Sequence, residues 1–177
     1  MFLYLAMIDS DADKSKFEIL YSEYKNLMYY TANRILRSSS DAEDVVHQAF
    51  LKVIEILDTI SSPRCHKTRA LLVTITEHKA IDLYREKQRR NVLPLAEEYI
   101  GAAPAAEIER LAERDTLAAA IASLPPRYRS VLLLRYDCGY SNAEIAKILD
   151  TTEPNVRKLI QRAKEKLSAQ LSGMEEP

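Results

Sequence analysis

The chain has 177 residues, 47% apolar and 29% charged, with a formal net charge of −1. Such a composition suits one foldable soluble domain or two small ones, and it excludes disordered, collagen-like and membrane-embedded polypeptides. Two cysteines without Cys-x-x-Cys spacing and three scattered histidines exclude a disulfide framework and ordinary metal-ligand spacing, so free thiols in a reducing cytoplasm are expected and no cofactor is implied.

The first segment, MFLYLAMI, is apolar but lacks a basic n-region and a small-residue cleavage site, and it is too short to span a bilayer; no membrane insertion is expected. The following MIDSDADKSKFEIL reads as a polar lead-in to a helix, which makes Met7 a candidate start. Phe17, Leu20, Tyr21, Tyr24, Leu27, Met28 and Ile35 recur at three and four, one face of a first long helix. Ser38 to Ser40 break it, and Ser40 with Glu43 has the capping-box spacing that starts the next helix. That helix carries Val45, Val46, Ala49, Phe50, Val53, Ile54 and Leu57 as a broad apolar stripe, with Asp41, Asp44, His47 and Gln48 on other faces. SSPRCHK is a basic loop. A third helix is expected from Thr68 to about Arg90, apolar at Leu71, Leu72, Ile75 and Leu83, ending in YREKQRR, whose cations suit the negative C-terminal end of a helix.

Periodicity fades across NVLPLAEEYIGAAPAA, residues 91–106, where Pro94, Gly101 and Pro104 punctuate. This predicts a flexible linker, able when extended to reach about 50 Å. The expected organisation is all-α: a helical domain over residues 14–93, a linker over 94–107 and a second helical domain over 108–172. In the second domain Ile108, Leu111, Leu117, Ala118, Ile121 and Leu124 lead to LPPRYRSVLLLRY, where Pro125 or Pro126 can start a helix and Gly139 stops it.

Ser141 and Glu144 repeat the capping-box spacing before Ile145, Ala146, Ile148 and Leu149, a short helix. Asp150-Thr151 makes a tight turn, and Val156, Ile160, Ala163 and Leu167 stripe a second helix at spacings of four, three and four. A short helix, a tight turn and a second amphipathic helix are a helix-turn-helix signature. Its second helix would enter the major groove, where Asn155 suits adenine and Arg157, Lys158 and Arg162 suit guanine or phosphate. Pro154 belongs to its first turn, with Thr152 or Glu153 as the cap.

Charge is distributed unevenly. Residues 41–58 hold Asp41, Glu43, Asp44, Glu55 and Asp58 against Lys52, whereas residues 64–90 hold eight Lys and Arg against three Asp and Glu. A further acidic segment spans 97–115 and a basic one 157–166. Alternating segments of this kind suggest two anion contacts and a basic protein partner, although any one run also reads as a solvated helix face.

Three segments in order, DAEDVVHQAFLKV, TRALLVTITEHKAIDLYREKQRR and LPPRYRSVLLLRYDCGYSNAEIAKILDTTEPNVRKLIQRAKEKL, resemble regions 2.2, 2.3–2.4 and 4 of bacterial sigma factors of the two-domain extracytoplasmic-function (ECF) type. The resemblance implies a non-enzymatic cytoplasmic protein that binds core RNA polymerase at the β′ clamp helices and the β flap, recognises promoter DNA at −10 and −35 elements, and helps melt the former. Many family members are held inactive by an anti-sigma factor. On this resemblance Asp41, Asp44 and Gln48 fall on the polymerase-docking face. Arg64 and Lys67 fall in the loop that captures a flipped base; His78, Lys79, Arg85, Lys87, Arg89 and Arg90 fall on the −10 helix; Thr152, Asn155, Arg157, Lys158 and Arg162 fall on the −35 helix. Asp82 matches an acidic family position. Four positions depart: Leu71 replaces a common Trp, His78 a common Asn, Leu159 a frequent Arg and Asp150 a frequent Gly. Without an aromatic at 71, base capture falls to the loop or to Tyr84. The rivals are a stand-alone helix-turn-helix regulator, which leaves the N-terminal half unexplained, and a helical adaptor, which leaves the basic segments unexplained.

Overall fold

The computed structural model describes residues 1–90 and 116–172, and every described element is helical. The chain divides into two units, Met1–Glu98 and Tyr99–Pro177. The linker expected at 94–107 and the domain start expected at 108 lie outside the described residues.

The first unit contains α1 (Phe2–Leu5), α2 (Asp11–Leu36), α3 (Ser39–Glu55), a single tight turn at Leu57–Thr59 and α4 (His66–Arg90). Ser10 opens α2 by accepting the Asp13 amide at 3.4 Å, with Asp11 and Asp13 at the positive end of the helix. The helix stops at Arg37, a left-handed residue (φ 51°) whose N–H reaches the Asn33 carbonyl at 2.8 Å. This single-residue stop moves the next cap. Ser38, already extended at φ −140°, accepts the Asp41 amide at 3.4 Å, and Ser40, the expected cap, lies inside the first turn of α3. α4 also begins earlier than expected, at His66 rather than Thr68. The Thr68 hydroxyl donates to the Ser62 carbonyl at 2.6 Å and draws the loop into a turn, so that the Cys65 carbonyl already accepts the Arg69 amide at 3.1 Å.

Helices α2, α3 and α4 pack together because small residues line their common seam: Ala32, Ala42, Val45 and Ala80 are fully buried there, flanked by Tyr29, Ile35, Leu36 and Leu83. Aromatic rings fill another part of the core. Phe50 lies 4.9 Å from Tyr21 and 5.7 Å from Phe17 between ring centroids, and Tyr4 stands 5.4 Å from Phe17. The Tyr4 hydroxyl shares a 2.6 Å hydrogen bond with His47 Nδ1, and burial pushes its ionisation up. Tyr4, which precedes Met7, therefore belongs to the core of this unit.

The second unit contains α5 (Thr116–Ser123), α6 (Pro126–Leu132), a widened turn at Leu133–Asp137, α7 (Asn142–Ile148) and α8 (Glu153–Ser172). Pro126 takes the first helical position of α6, where its missing N–H leaves no bond unmade. The chain then widens by one residue: the Cys138 amide reaches back five residues to the Leu133 carbonyl at 2.9 Å before Gly139 turns it at φ 82°. Buried Arg129 donates to the Ala122 carbonyl at 3.0 Å, near the end of α5. Leu124, Val131, Leu134, Ile145, Ile148, Val156 and Ala163 form the core.

Candidate polymerase and nucleic-acid interface

The helix-turn-helix is built by local hydrogen bonds. Ser141 Oγ accepts the Glu144 amide at 3.2 Å and the Glu144 carboxylate accepts the Ser141 amide at 2.7 Å, a complete capping box. These bonds from Ser141 hold the Glu144 carboxyl below its ordinary range. Asp150 takes the left-handed conformation (φ 49°), a geometry that favours Gly, and the Thr151 amide closes the turn on the Ala146 carbonyl at 2.9 Å. The Thr152 carbonyl accepts the Val156 amide at 3.0 Å. Thr152 is thus the cap residue and Pro154 the second helical residue, where no intrahelical N–H bond is lost. Val156 and Ala163 bury the inner face of α8, which packs on α6 and α7.

Helical phase then sorts the polar residues of α8. Asn155, Lys158 and Arg162, spaced three and four, share one exposed face. Arg157, two residues past Asn155, turns to the far side and meets Glu153 at 3.3 Å. The five residues expected to read the upstream element are therefore not one surface. Thr152 is exposed at the entry to the helix, and Asn155 Nδ2 donates to Thr151 Oγ1 at 3.4 Å. Lys164 stands over the Tyr136 ring at 5.1 Å and Lys166 over the Tyr128 ring at 5.9 Å, flanking the apolar stripe.

In the first unit Asp44 and Gln48 are exposed one turn apart on α3. Asp41, one turn earlier, points both carboxylate oxygens at Lys87 Nζ of α4, each at 2.5 Å. That bond, with a second from Ser38, holds the Asp41 carboxyl below its ordinary range. Two residues expected in different contacts thus meet each other. Along α4, His78, Arg85 and Arg89 share a line with Asp82, and Lys79 and Arg90 lie beside it, whereas Lys87 falls on the α3 side. Arg90 is also engaged, by Glu86 at 2.5 Å.

The basic loop is fastened to α2. Arg64 Nε donates to Glu23 at 3.1 Å, and the Tyr24 hydroxyl donates to the Pro63 carbonyl at 3.0 Å. Lys67 is exposed in the first turn of α4. Leu71 is fully buried, part of a run at 71–77 that is buried throughout, so this position belongs to the core. Tyr84 is half-buried, and its hydroxyl accepts from Gln88 at 3.0 Å. Sequence reasoning missed three buried charges, Lys52, Glu77 and Arg129. Lys52 carried a readable signal, since it sits beside Val53 in the apolar stripe of α3; its ammonium reaches Glu55 at 2.9 Å. Cys65 went unremarked as a helix cap, and hydrogen bonds from Thr68 lower its thiol pKa. Among the described residues, no group of three or more His, Cys, Asp or Glu is placed to hold a metal ion.

A helical unit with an acidic face and a basic helix, followed by a capped helix-turn-helix, defines a two-domain DNA-binding protein. Comparison with known proteins is more specific. Residues 20–90 match the Sigma-70 region 2 family and residues 114–167 match Sigma-70, region 4. The chain is 32% identical over 158 residues to the ferric citrate uptake sigma factor FecI of Escherichia coli (strain K12), covering 84% of this chain and 87% of that protein. It is 27% identical over 171 residues to the ECF RNA polymerase sigma factor SigW of Bacillus subtilis (strain 168), covering 90% of each. A solved structure of CnrH in complex with the cytosolic domain of CnrY matches at 27% identity over 89% of this chain and 88% of that one, with a TM-score of 0.39. The chain belongs to the sigma-70 family, in its ECF class. It is a promoter-directing sigma factor that acts with core RNA polymerase and promoter DNA.

Proposed function

We propose a division of labour among three faces. Asp44 and Gln48 on α3 dock on the β′ clamp helices, an acidic face suited to a basic partner. Arg64 and Lys67 in the loop, with His78, Lys79, Arg85 and Arg89 on α4, hold the melted −10 strand. Flipping a base costs a few kcal/mol, which cations and a pocket near the strand offset. Asn155, Lys158 and Arg162 read the −35 element in the major groove, where a bidentate pair discriminates by about 1–3 kcal/mol. The second unit also meets the β flap. An anti-sigma factor belongs to the same proposal, as a competitor for the Asp44–Gln48 face.

The observation that carries this reading is the common exposed face of Asn155, Lys158 and Arg162 on the second helix of a capped helix-turn-helix. No described helix is long and apolar enough to cross a membrane, and the proposed site of action is the cytoplasm, where the polymerase supplies the catalysis. Run-off transcription by purified core polymerase, with and without this protein, tests the reading on the DNA upstream of its own gene. The expected result is a discrete transcript that depends on the added protein. Absence of that transcript together with failure to co-elute with core enzyme would overturn it.

A further inference from the structure

We infer that Asp41 and Lys87 act on each other as a positioning pair, not directly on polymerase or DNA. The inference rests on the reading above and reassigns two residues within it. Three observations meet at this pair. Both oxygens of Asp41 lie 2.5 Å from one ammonium, so its acceptor capacity is directed across the α3–α4 interface rather than outward. Asp41 is also held from its own helix: its amide is bound by Ser38 at 3.4 Å, and Ser38 further stabilises its carboxylate. Helical phase sets Lys87 on the side of α4 away from His78, Arg85 and Arg89.

The two residues are 46 positions apart in sequence and join the first turn of α3 to the last turns of α4. Beneath them the helices touch through small side chains, Ala42 and Val45 packing with Ala80. Small residues allow close approach but do little to fix rotation about a helix axis. A charged clamp at the rim supplies that orientation. It sets the angle at which Asp44 and Gln48 face one partner while Arg85 and Arg89 face another. An exposed pair of this type contributes little to global stability, so its effect is expected mainly in binding and only slightly in melting.

The test uses the full chain with core polymerase and a charge swap. Asp41→Lys and Lys87→Asp are each expected to weaken core affinity and holoenzyme binding to a single-stranded −10 oligonucleotide by about five- to twentyfold. The double variant D41K/K87D is expected to return both to within about threefold of wild type, with the salt slope of DNA binding unchanged. Core affinity in the double variant as weak as in D41K would show that Asp41 touches polymerase, and would overturn the proposal. A salt slope reduced by about 0.7 in both K87D and the double variant would show that Lys87 touches a phosphate, and would also overturn it. Should a swapped chain fail to fold, the neutral pair D41N/K87Q replaces it. The proposal then requires the double loss to be no larger than either single loss, and additive losses refute it. Asp44→Arg separates this test from the reading on which it rests. Lost core affinity upholds the docking face whatever the swap does, and retained affinity removes that face.

Discussion

In the first unit two of the candidate contact residues are oriented by partners on other helices: Asp41 of α3 meets Lys87 of α4, and Arg64 of the loop meets Glu23 of α2. In the second unit the polar residues of α8 are oriented by position along one helix, with Arg157 meeting Glu153 one turn away. The difference follows from the packing. The first unit crosses three long helices over an extensive core that includes the ring cluster of Tyr4, Phe17, Tyr21 and Phe50. The second fixes two helices with a capping box, a left-handed Asp150 and a short apolar stripe. A surface made by helix crossing fails when its core fails, whereas a surface made on one helix survives as long as that helix stays docked. Phe50→Ala breaks the comparison most sharply. Truncating a fully buried Phe should cost about 3–5 kcal/mol, abolish core-polymerase binding and lower the first unit's calorimetric transition. Duplex binding through the helix-turn-helix should persist; its simultaneous loss would show that the units are not independently stabilised.

The next test concerns the reading helix. Asn155→Ala should lose about 1–3 kcal/mol of discrimination at one upstream position while binding other sequences nearly as before. Arg162→Ala should weaken all sequences alike and lower the salt slope by about one unit. Arg157→Ala, placed on the opposite side of α8, should change upstream-element selectivity less than Asn155→Ala does. Quantitative footprinting over a set of single-base variants checks all three. Equal, sequence-blind losses from Asn155→Ala and Arg162→Ala would remove the base-reading assignment.

Apolar periodicity at three and four placed α2, α3, α4 and α8, because burial of a stripe is a property of one helix and needs no knowledge of its neighbours. The Ser141–Glu144 box was equally legible, since cap and partner lie three residues apart. The Ser38 cap was hidden because it depends on Arg37 adopting a left-handed conformation, which an arginine does not advertise. The Asp41–Lys87 pairing was hidden by its 46-residue separation, although the phase of α4 already set Lys87 apart from Arg85 and Arg89. The widened turn at Leu133–Asp137 has no sequence signature in the apolar pattern. Asp150 was legible as a turn residue tolerant of φ 49°, which gives a third test. Asp150→Val should destabilise the helix-turn-helix by about 1–2 kcal/mol and weaken −35 binding, because a β-branched residue resists the left-handed region. Asp150→Gly should retain both; urea melts of the two variants decide it.

The smallest expected effect separates the two units by acid and by salt. Glu144 and Asp41 both have folded-state pKa values below their ordinary ones, the first through hydrogen bonds from Ser141, the second through Lys87 and then Ser38. A depressed carboxyl pKa stabilises the fold fully above the unfolded value, and that contribution disappears as pH falls through the folded value. Glu144→Gln should therefore narrow the gap from wild type as pH drops below the ordinary glutamate value of 4.5. Asp41→Asn should show the same acid trend below 3.8. Salt then distinguishes them. At about 1 M salt the Debye length falls to about 3 Å, so the exposed Asp41–Lys87 attraction is screened while the 2.7 Å bond from the Ser141 amide to Glu144 is largely retained. Thermal melts from acid to neutral pH at low and high salt should therefore lose the Asp41→Asn difference in high salt and keep the Glu144→Gln difference. Equal salt sensitivity would mean that the orientation of Asp41 does not depend on its partner across the α3–α4 interface.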